Sequence, residues 1–464
     1  MNPAARALLP SPDKPVAVLG AGRSGRAAAR LLARSGFKPI VFDTGTGDAL
    51  AGVANELARE GIACVTGAGA GAPDRDYSLA ILSPGIAPES PMACSFKAAG
   101  ALLLSEIELA WSLSSAPVIA ITGTNGKTTT TALTAHLFQK ANRCAPACGN
   151  IGDAFSDAVR RFPKADVYIL EISSFQLETC FQFRPEVAVW TNFSPNHLDR
   201  YGSIEEYRAA KLRIFQNQTR ADFAVVRAED IASGVVPAPS ARLVTFSATP
   251  GAQADFTLDA GWILFRGERV IEQAATSLRG RHNAENLMAA LASAECLGLD
   301  AHRVAENAVD FVPPEHRCET VLERNGVLWI NDSKSTTLDS LEKALRSQER
   351  PVVLIAGGKD KGFSFAPVAS CVKQHVVFAV LIGQTKEKIA KDWLETPSAQ
   401  AQTLEEAVGI AARVAKPGMV VLFSPGTSSF DMFTDFEERG RRFKESVLAF
   451  YSNVSQTYNK QPTS

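Results

Sequence analysis

The amino-acid sequence predicts an α/β fold built on parallel sheets and divided into three domains. Three observations predict it. Short β-rich apolar runs alternate with helical patterns along the whole length, as in successive βαβ units. The length of 464 residues corresponds to roughly three domains at about 150 residues each. Strand-like openings at PVAVLG and PVIAITG, and the Pro313-Pro314 pair, divide the chain into blocks at 1–114, 115–312 and 313–464.

Composition narrows the function. With 46% hydrophobic and 21% charged residues the chain is neither disordered nor a collagen-like fibre. Its 48 basic and 49 acidic residues leave a net charge of −1, so no global field draws in nucleic acid or an anionic membrane. A local phosphate site is still allowed. Apolar runs such as Val376 to Ile382 fall far short of the ~20 residues a membrane span needs. No basic flank followed by an apolar stretch opens the chain, and a cytoplasmic location is expected. The eight cysteines (64, 94, 144, 148, 180, 296, 318 and 371) are scattered and read as reduced, small apolar core residues. Cys144 and Cys148 form a C-x3-C without a second pair, so no zinc site is expected there.

In the first block, Gly20-Ala21-Gly22-Arg23-Ser24-Gly25 follows the strand VAVL and opens a helix rich in alanine and leucine. This G-x-G-x-x-G context predicts a Rossmann-like domain that brings backbone close to a nucleotide or diphosphate. Asp43 lies near the distance expected of a ribose-binding acid.

The second block predicts a P-loop ATPase-type domain. Gly123-Thr124-Asn125-Gly126-Lys127-Thr128 lies between the strand VIAIT and a helix, with Ile121 where a strict motif has its first glycine. Backbone N–H groups would cradle phosphates, Lys127 would reach the β/γ-phosphates and the Thr128 hydroxyl would hold Mg²⁺. In parallel sheets ligands bind at the carboxyl ends of strands, so residues just past each apolar run are candidates. Glu171, ending VYIL, is either a solvated strand-end carboxylate or a Mg²⁺ ligand, and the nearby P-loop favours the ligand. Asn196-His197-Leu198-Asp199 follows VAVWTN, and His197 would face the same crevice in a metal or phosphate role. Residues Ile204 to Phe215 read as a helix with an apolar stripe of Ile204, Tyr207, Ile214 and Phe215, and Lys211 falls on that stripe. Spacing alone favours a lysine snorkelling to solvent. An ammonium about 4 Å from a divalent ion would be repelled by roughly 8 kcal/mol at an effective dielectric near 20. A close metal neighbour would therefore require a modified, anionic lysine.

The third block, a second Rossmann-like domain, places Asp332-Ser333-Lys334, Lys359-Asp360-Lys361 and Ser428-Ser429 each after a strand. Lysines and hydroxyls around one crevice fit an anionic substrate, although any one of them alone could be a solvated loop. A helix from Asp431 carries Phe433, Phe436, Gly440, Phe443 and Val447 on one face, mostly as core.

Together the chain closely resembles the Mur ligases, the ATP-dependent amino-acid-adding enzymes of peptidoglycan synthesis, over nearly its whole length. The motifs that carry this are TGTNGKTT at 122–129, Gly149-Asn150-Ile151-Gly152, LEISSFQLE, NHLDRY, YRAAKLRIF, GRHNAEN, His316-Arg317, NDSKST and SPGTSSFDMF. The runs SSFQLE and NDSK point to the branch that adds D-glutamate to UDP-N-acetylmuramoyl-L-alanine. The resemblance implies ATP and two Mg²⁺ ions, and a monomer without nucleic-acid or membrane partners. It places Ser24, Asp43, Ser83, Gly85 and Asn150 on the UDP-sugar. Gly123, Thr124, Asn125, Gly126, Lys127, Thr128, Thr129, Asn283, Arg317 and Asp332 are placed on ATP. Thr128, Glu171, His197 and a carbamylated Lys211 hold metal. Thr336, Lys361, Ser429 and Phe436 line the glutamate pocket. Lys127, His197, Lys211 and Lys334 are the implied catalytic set. Three positions depart from the family pattern: Asn196 where some members have Asp, Thr337 where Asn is expected, and Gly45 in place of a basic residue. Another Mur-type or folylpolyglutamate synthase-like ligase, an NAD(P) oxidoreductase suggested by Gly20 to Gly25, and a non-catalytic P-loop module remain as alternatives.

Overall fold

The computed structural model describes residues 8–194, 201–313, 315–346, 348 and 350–458. The chain divides into two units, Met1–Pro313 and Pro314–Ser464. The first unit carries two sheets and the second carries one.

The first sheet has β1 (Pro15–Leu19), β2 (Lys38–Asp43), β3 (Ala63–Thr66), β4 (Leu79–Leu82) and β5 (Leu102–Ser105) in the order β3-β2-β1-β4-β5. All its pairings are parallel. Strand order reverses between β1 and β4, which opens a crevice above the Gly20–Gly25 turn. The helix Arg23–Arg34 buries Ala27, Ala28, Ala29, Leu31 and Leu32.

The second sheet comprises β6 (Val118–Thr122), β7 (Ala147–Gly149), β8 (Tyr168–Glu171), β9 (Val187–Trp190), β10 (Phe223–Arg227), β11 (Arg242–Ser247), β12 (Phe256–Asp259), β13 (Trp262–Phe265) and β14 (Glu268–Glu272). Their order is β14-β13-β12-β11-β10-β9-β6-β8-β7. Strands β6 to β12 pair in parallel, whereas the β12–β13 and β13–β14 pairings are antiparallel. Two tight turns, with Ala260 and Arg266 at positive φ beside Gly261 and Gly267, reverse the chain at the sheet edge. Strands β6, β8 and β9 are buried at every position, and helices Lys127–Lys140 and Arg281–Cys296 pack against each other in the same core.

The third sheet comprises β15 (Glu319–Arg324), β16 (Val327–Asn331), β17 (Val352–Gly357), β18 (Val376–Ile382), β19 (Ser398–Gln400) and β20 (Val420–Phe423), ordered β15-β16-β20-β17-β18-β19. Only β15 is antiparallel. The final helix starts at Phe436 rather than Asp431, because the Asp435 carboxylate accepts Glu438 N and caps the first turn. Phe443 and Val447 are core residues as expected, and Phe433 packs at the margin.

The cysteine expectation is also corrected. All eight are free, but only Cys148, Cys180 and Cys371 are buried, and Cys94, Cys144 and Cys318 are exposed. Cys144 lies just ahead of β7, and Cys318 occupies a positive-φ position ahead of β15.

Buried carboxylates fasten the first two sheets together. Glu108 is fully buried and accepts the backbone N–H groups of Phe181, Gln182 and Phe183. Glu106 is 1% exposed, and one of its oxygens accepts Ser156 N. Burial raises the Glu106 carboxyl from 4.5 to about 7. The folded state thus holds its proton over a pH range where the unfolded chain releases it. The contribution of this group to stability falls as pH rises from about 4.5 to about 7 and is level beyond. Glu106→Gln, which keeps the shape without the buried charge, is expected to unfold at a higher temperature than the parent at pH 8. Thermal unfolding followed by circular dichroism should show that gap closing toward pH 4.5.

Candidate active site

The P-loop joins β6 to the helix Lys127–Lys140. Gly123 has φ +141° and Gly126 has φ +80°, and a Cβ at Gly126 would lie 2.2 Å from Asn286 Oδ1. Glycine is required there both by backbone conformation and by close approach. The segment after β9 clamps the loop. Thr191 Oγ1 donates to Asn125 O at 2.6 Å, Asn125 N donates to Asn192 Oδ1 at 2.9 Å, and Thr124 N donates to Asn192 O at 2.9 Å. On the other side Thr130 Oγ1 donates to Asn286 Oδ1, and Asn286 Nδ2 donates to Asn283 Oδ1. Thr129 sits in the first turn of the P-loop helix, half-buried.

Two lysines converge on one carbonyl. Lys127 Nζ donates to Gly123 O at 3.0 Å and to Thr124 O at 2.9 Å. Lys211 Nζ donates to the same Gly123 O at 2.7 Å. The helix carrying Lys211 runs Ile204–Leu212 and continues as a 3-10 turn to Phe215. Lys211 is 2% exposed, with its ammonium 4.9 Å from the centre of the Tyr207 ring. The snorkelling expectation is therefore wrong. Lys211 and Tyr207 face the P-loop, whose carbonyl supplies the polar partner a buried ammonium needs, while Ile214 and Phe215 pack into apolar clusters.

Glu171, at the carboxyl end of β8, is 1% exposed. Its Oε2 accepts Thr128 Oγ1 at 2.8 Å, and its Oε1 accepts Asn150 Nδ2 at 2.8 Å. Its main-chain oxygen also accepts Asn150 N. Thr128 and Glu171 present hydroxyl and carboxylate oxygens side by side, the donor type a hard cation such as Mg²⁺ takes. Asn196, His197 and Asp199 lie outside the described residues. Among the described residues no three His, Cys, Asp or Glu side chains converge as a metal cage.

A cleft of about 850 Å³ opens at the first sheet. It is lined by Ser24, Asp43, Ser83 and Gly85 from the first sheet and by Asn150 from the second, which brings together these five residues singled out from the sequence. Asp43 Oδ2 accepts Ala21 N at 2.8 Å and Oδ1 accepts Gly45 N at 2.9 Å, so this acid also shapes the Gly-rich turn.

In the second unit the loops after β16, β17 and β20 meet. Asp332 is buried, accepting Ser424 Oγ at 2.8 Å and Cys318 N at 3.2 Å, and burial pushes its carboxyl up to about 7. Lys361 Nζ donates to Thr336 O at 3.0 Å. The Lys334 ammonium lies 5.4 Å from the centre of the Phe436 ring. Ser429 is buried and Arg317 is exposed. Arg439, 1% exposed, joins two of these loops by donating to Ser333 Oγ and O and to Thr427 O.

A family model described as the Mur ligase middle domain matches residues 121–294, and one described as the Mur ligase, glutamate ligase domain, matches 316–426. A UDP-N-acetylmuramoylalanine–D-glutamate ligase of Geobacter metallireducens is 42% identical over 442 residues, covering 94% of this chain and 97% of the relative. The chain belongs to the Mur ligase family. A relative of the same description from Trichlorobacter lovleyi is 43% identical, with 94% and 98% coverage. Among solved structures, the UDP-N-acetylmuramate-alanine ligase MurC of Thermotoga maritima shares the fold, with a TM-score of 0.55 at 20% identity and coverage of 94% and 99%.

Sequence reasoning missed the residues that hold this Mur ligase's P-loop, namely Thr191, Asn192 and Asn286. Asn192 was within reach, because it directly follows a strand of the nucleotide sheet. Asn286 was signalled by its i, i+3 spacing from Asn283. Thr191→Val keeps the shape and removes the hydrogen bond to Asn125 O. It is expected to weaken ATP binding about tenfold, the equivalent of one hydrogen bond, with little change in thermal unfolding. Titration with a fluorescent ATP analogue would measure it.

Proposed function

We propose that this chain joins D-glutamate to UDP-N-acetylmuramoyl-L-alanine, consuming ATP, in peptidoglycan synthesis. The observation that carries this reading is the position of Asn150. It lines the first-sheet cleft and, through Glu171, touches Thr128 of the P-loop. A nucleotide-sugar in the cleft would have its far end directed at the ATP phosphates. The named relatives, similar over almost their full length, support the same substrates.

In this reading residues 1–114 hold the UDP-sugar, 115–312 hold ATP and 313–464 hold the amino acid. Gly123 to Thr129 and Lys127 bind the ATP phosphates, and Asn283, Arg317 and Asp332 bind the rest of the nucleotide. Lys127 draws charge off the γ-phosphoryl group as the alanyl carboxylate attacks it and ADP leaves. The glutamate amine then attacks the acyl carbon, phosphate departs and the amine loses a proton. Thr336, Lys361, Ser429 and Phe436 orient glutamate, and Lys334 steadies the reacting groups. Ser24, Asp43, Ser83, Gly85 and Asn150 hold the UDP-sugar. Thr128 and Glu171 would hold one Mg²⁺, which neutralises phosphate oxygens when bound. His197 and Lys211 would hold a second. For that role the uncharged Lys211 amine adds to CO₂ and releases a proton, giving a carbamate of the sign a metal requires.

Phosphate release with Mg-ATP and UDP-N-acetylmuramoyl-L-alanine is expected with D-glutamate and not with L-glutamate or diaminopimelate. Release with another amino acid instead would move the substrate assignment to another branch. Lys211→Ala is expected to lose roughly a hundredfold or more in turnover. Acetate or formate should restore part of it, and full activity without rescue would remove the carbamate from the mechanism.

A further inference from the structure

Among the described residues lining the first-sheet cleft, Arg23 is the one cation and Asp43 the one carboxylate. Asp43 is engaged by backbone N–H groups, Ala21 N of the Gly-rich turn and Gly45 N of its own. Arg23 instead reaches across the cleft. Its guanidinium donates to Gly152 O at 2.6 Å and to Gly149 O at 3.4 Å, on the loop that carries Asn150. It forms no ion pair with a described residue, and its hydrogen-bond partners are two neutral main-chain carbonyls. A guanidinium has five N–H donors in a planar fork, a shape that suits phosphate oxygens. The G-x-G-x-x-G turn itself needs no particular side chain at this position, so the arginine is available to a ligand.

We propose that Arg23 is the residue that grips the diphosphate of the nucleotide-sugar and that its bonds to Gly149 and Gly152 set Asn150 in register with it. This rests on the substrate reading above. A diphosphate at the turn would meet the free edge of the guanidinium while the other edge stays on the glycine carbonyls. One side chain thereby fixes the nucleotide to the first sheet and aligns the loop leading to Glu171.

Calorimetric titration of uridine, UMP and UDP into the full chain tests it. The parent is expected to gain affinity with each phosphate. Arg23→Gln keeps a donor for the glycine carbonyls but not the charge. It should lose about tenfold in UDP affinity and little in uridine affinity, and Arg23→Lys should recover part of the loss. In turnover assays Arg23→Gln should raise KM for the UDP-sugar about tenfold while KM for ATP stays within about twofold. Equal losses for uridine and UDP, or an unchanged UDP affinity, would make Arg23 only a strut and overturn the proposal. A parent that binds none of the three ligands would end the substrate reading and this inference with it. A parent that binds UDP while Arg23→Gln binds it equally well overturns the inference alone.

Discussion

Burying Glu171 is the constraint on which the first unit's site depends. A carboxylate withdrawn from water must be hydrogen-bonded, and this one takes its partners from two directions. Thr128 comes from the P-loop helix and Asn150 from the loop after β7. The main chain follows the side chains, for Asn150 N also returns to Glu171 O. That approach is so close that a Cβ on Gly149 would stand 2.4 Å from Glu171 O, and the residue has φ +95° as well. One strand end thus fixes the phosphate loop and the inner wall of the cleft with respect to each other.

Around that point the charges are arranged unevenly. Two ammonium groups, Lys127 and Lys211, share Gly123 O, while the described carboxylate nearest the loop is engaged by neutral donors. The chain's total charge is close to zero, so its hold on a nucleotide depends on where individual groups stand. Local placement, rather than net charge, prepares the site for polyanionic nucleotides. The clamp by Thr191, Asn192 and Asn286 acts on backbone atoms of the loop or on its helix, so it shapes the loop and adds no charge.

Much of this was legible in the sequence because strand ends and glycine turns are local signals. The apolar runs VIAIT, VYIL and VAVW of the second block became β6, β8 and β9, and the P-loop followed β6 as expected. What stayed hidden depends on distant packing. Periodicity placed Lys211 on a buried stripe but could not say what the lysine faced, and the answer came from Gly123, 88 residues away. The added strands β12 to β15 are half-exposed, so they lack the continuous apolar run that marked the central strands. Cys94, Cys144 and Cys318 are exposed residues, which their apolarity does not encode.

The outermost strands have a consequence for how such a chain behaves when many copies are made at once. An open sheet edge offers unpaired N–H and C=O groups to any passing strand. Here β3 and β5 have four residues each, and β7 and β19 have three, too short to template a ladder. The two longer edges carry charge instead, with Glu268, Arg269 and Glu272 on β14 and Glu319, Glu323 and Arg324 on β15. Three open sheets in one polypeptide thereby keep their rims closed to strand-by-strand aggregation, and neutral substitutions along β14 or β15 would turn a rim into a seed.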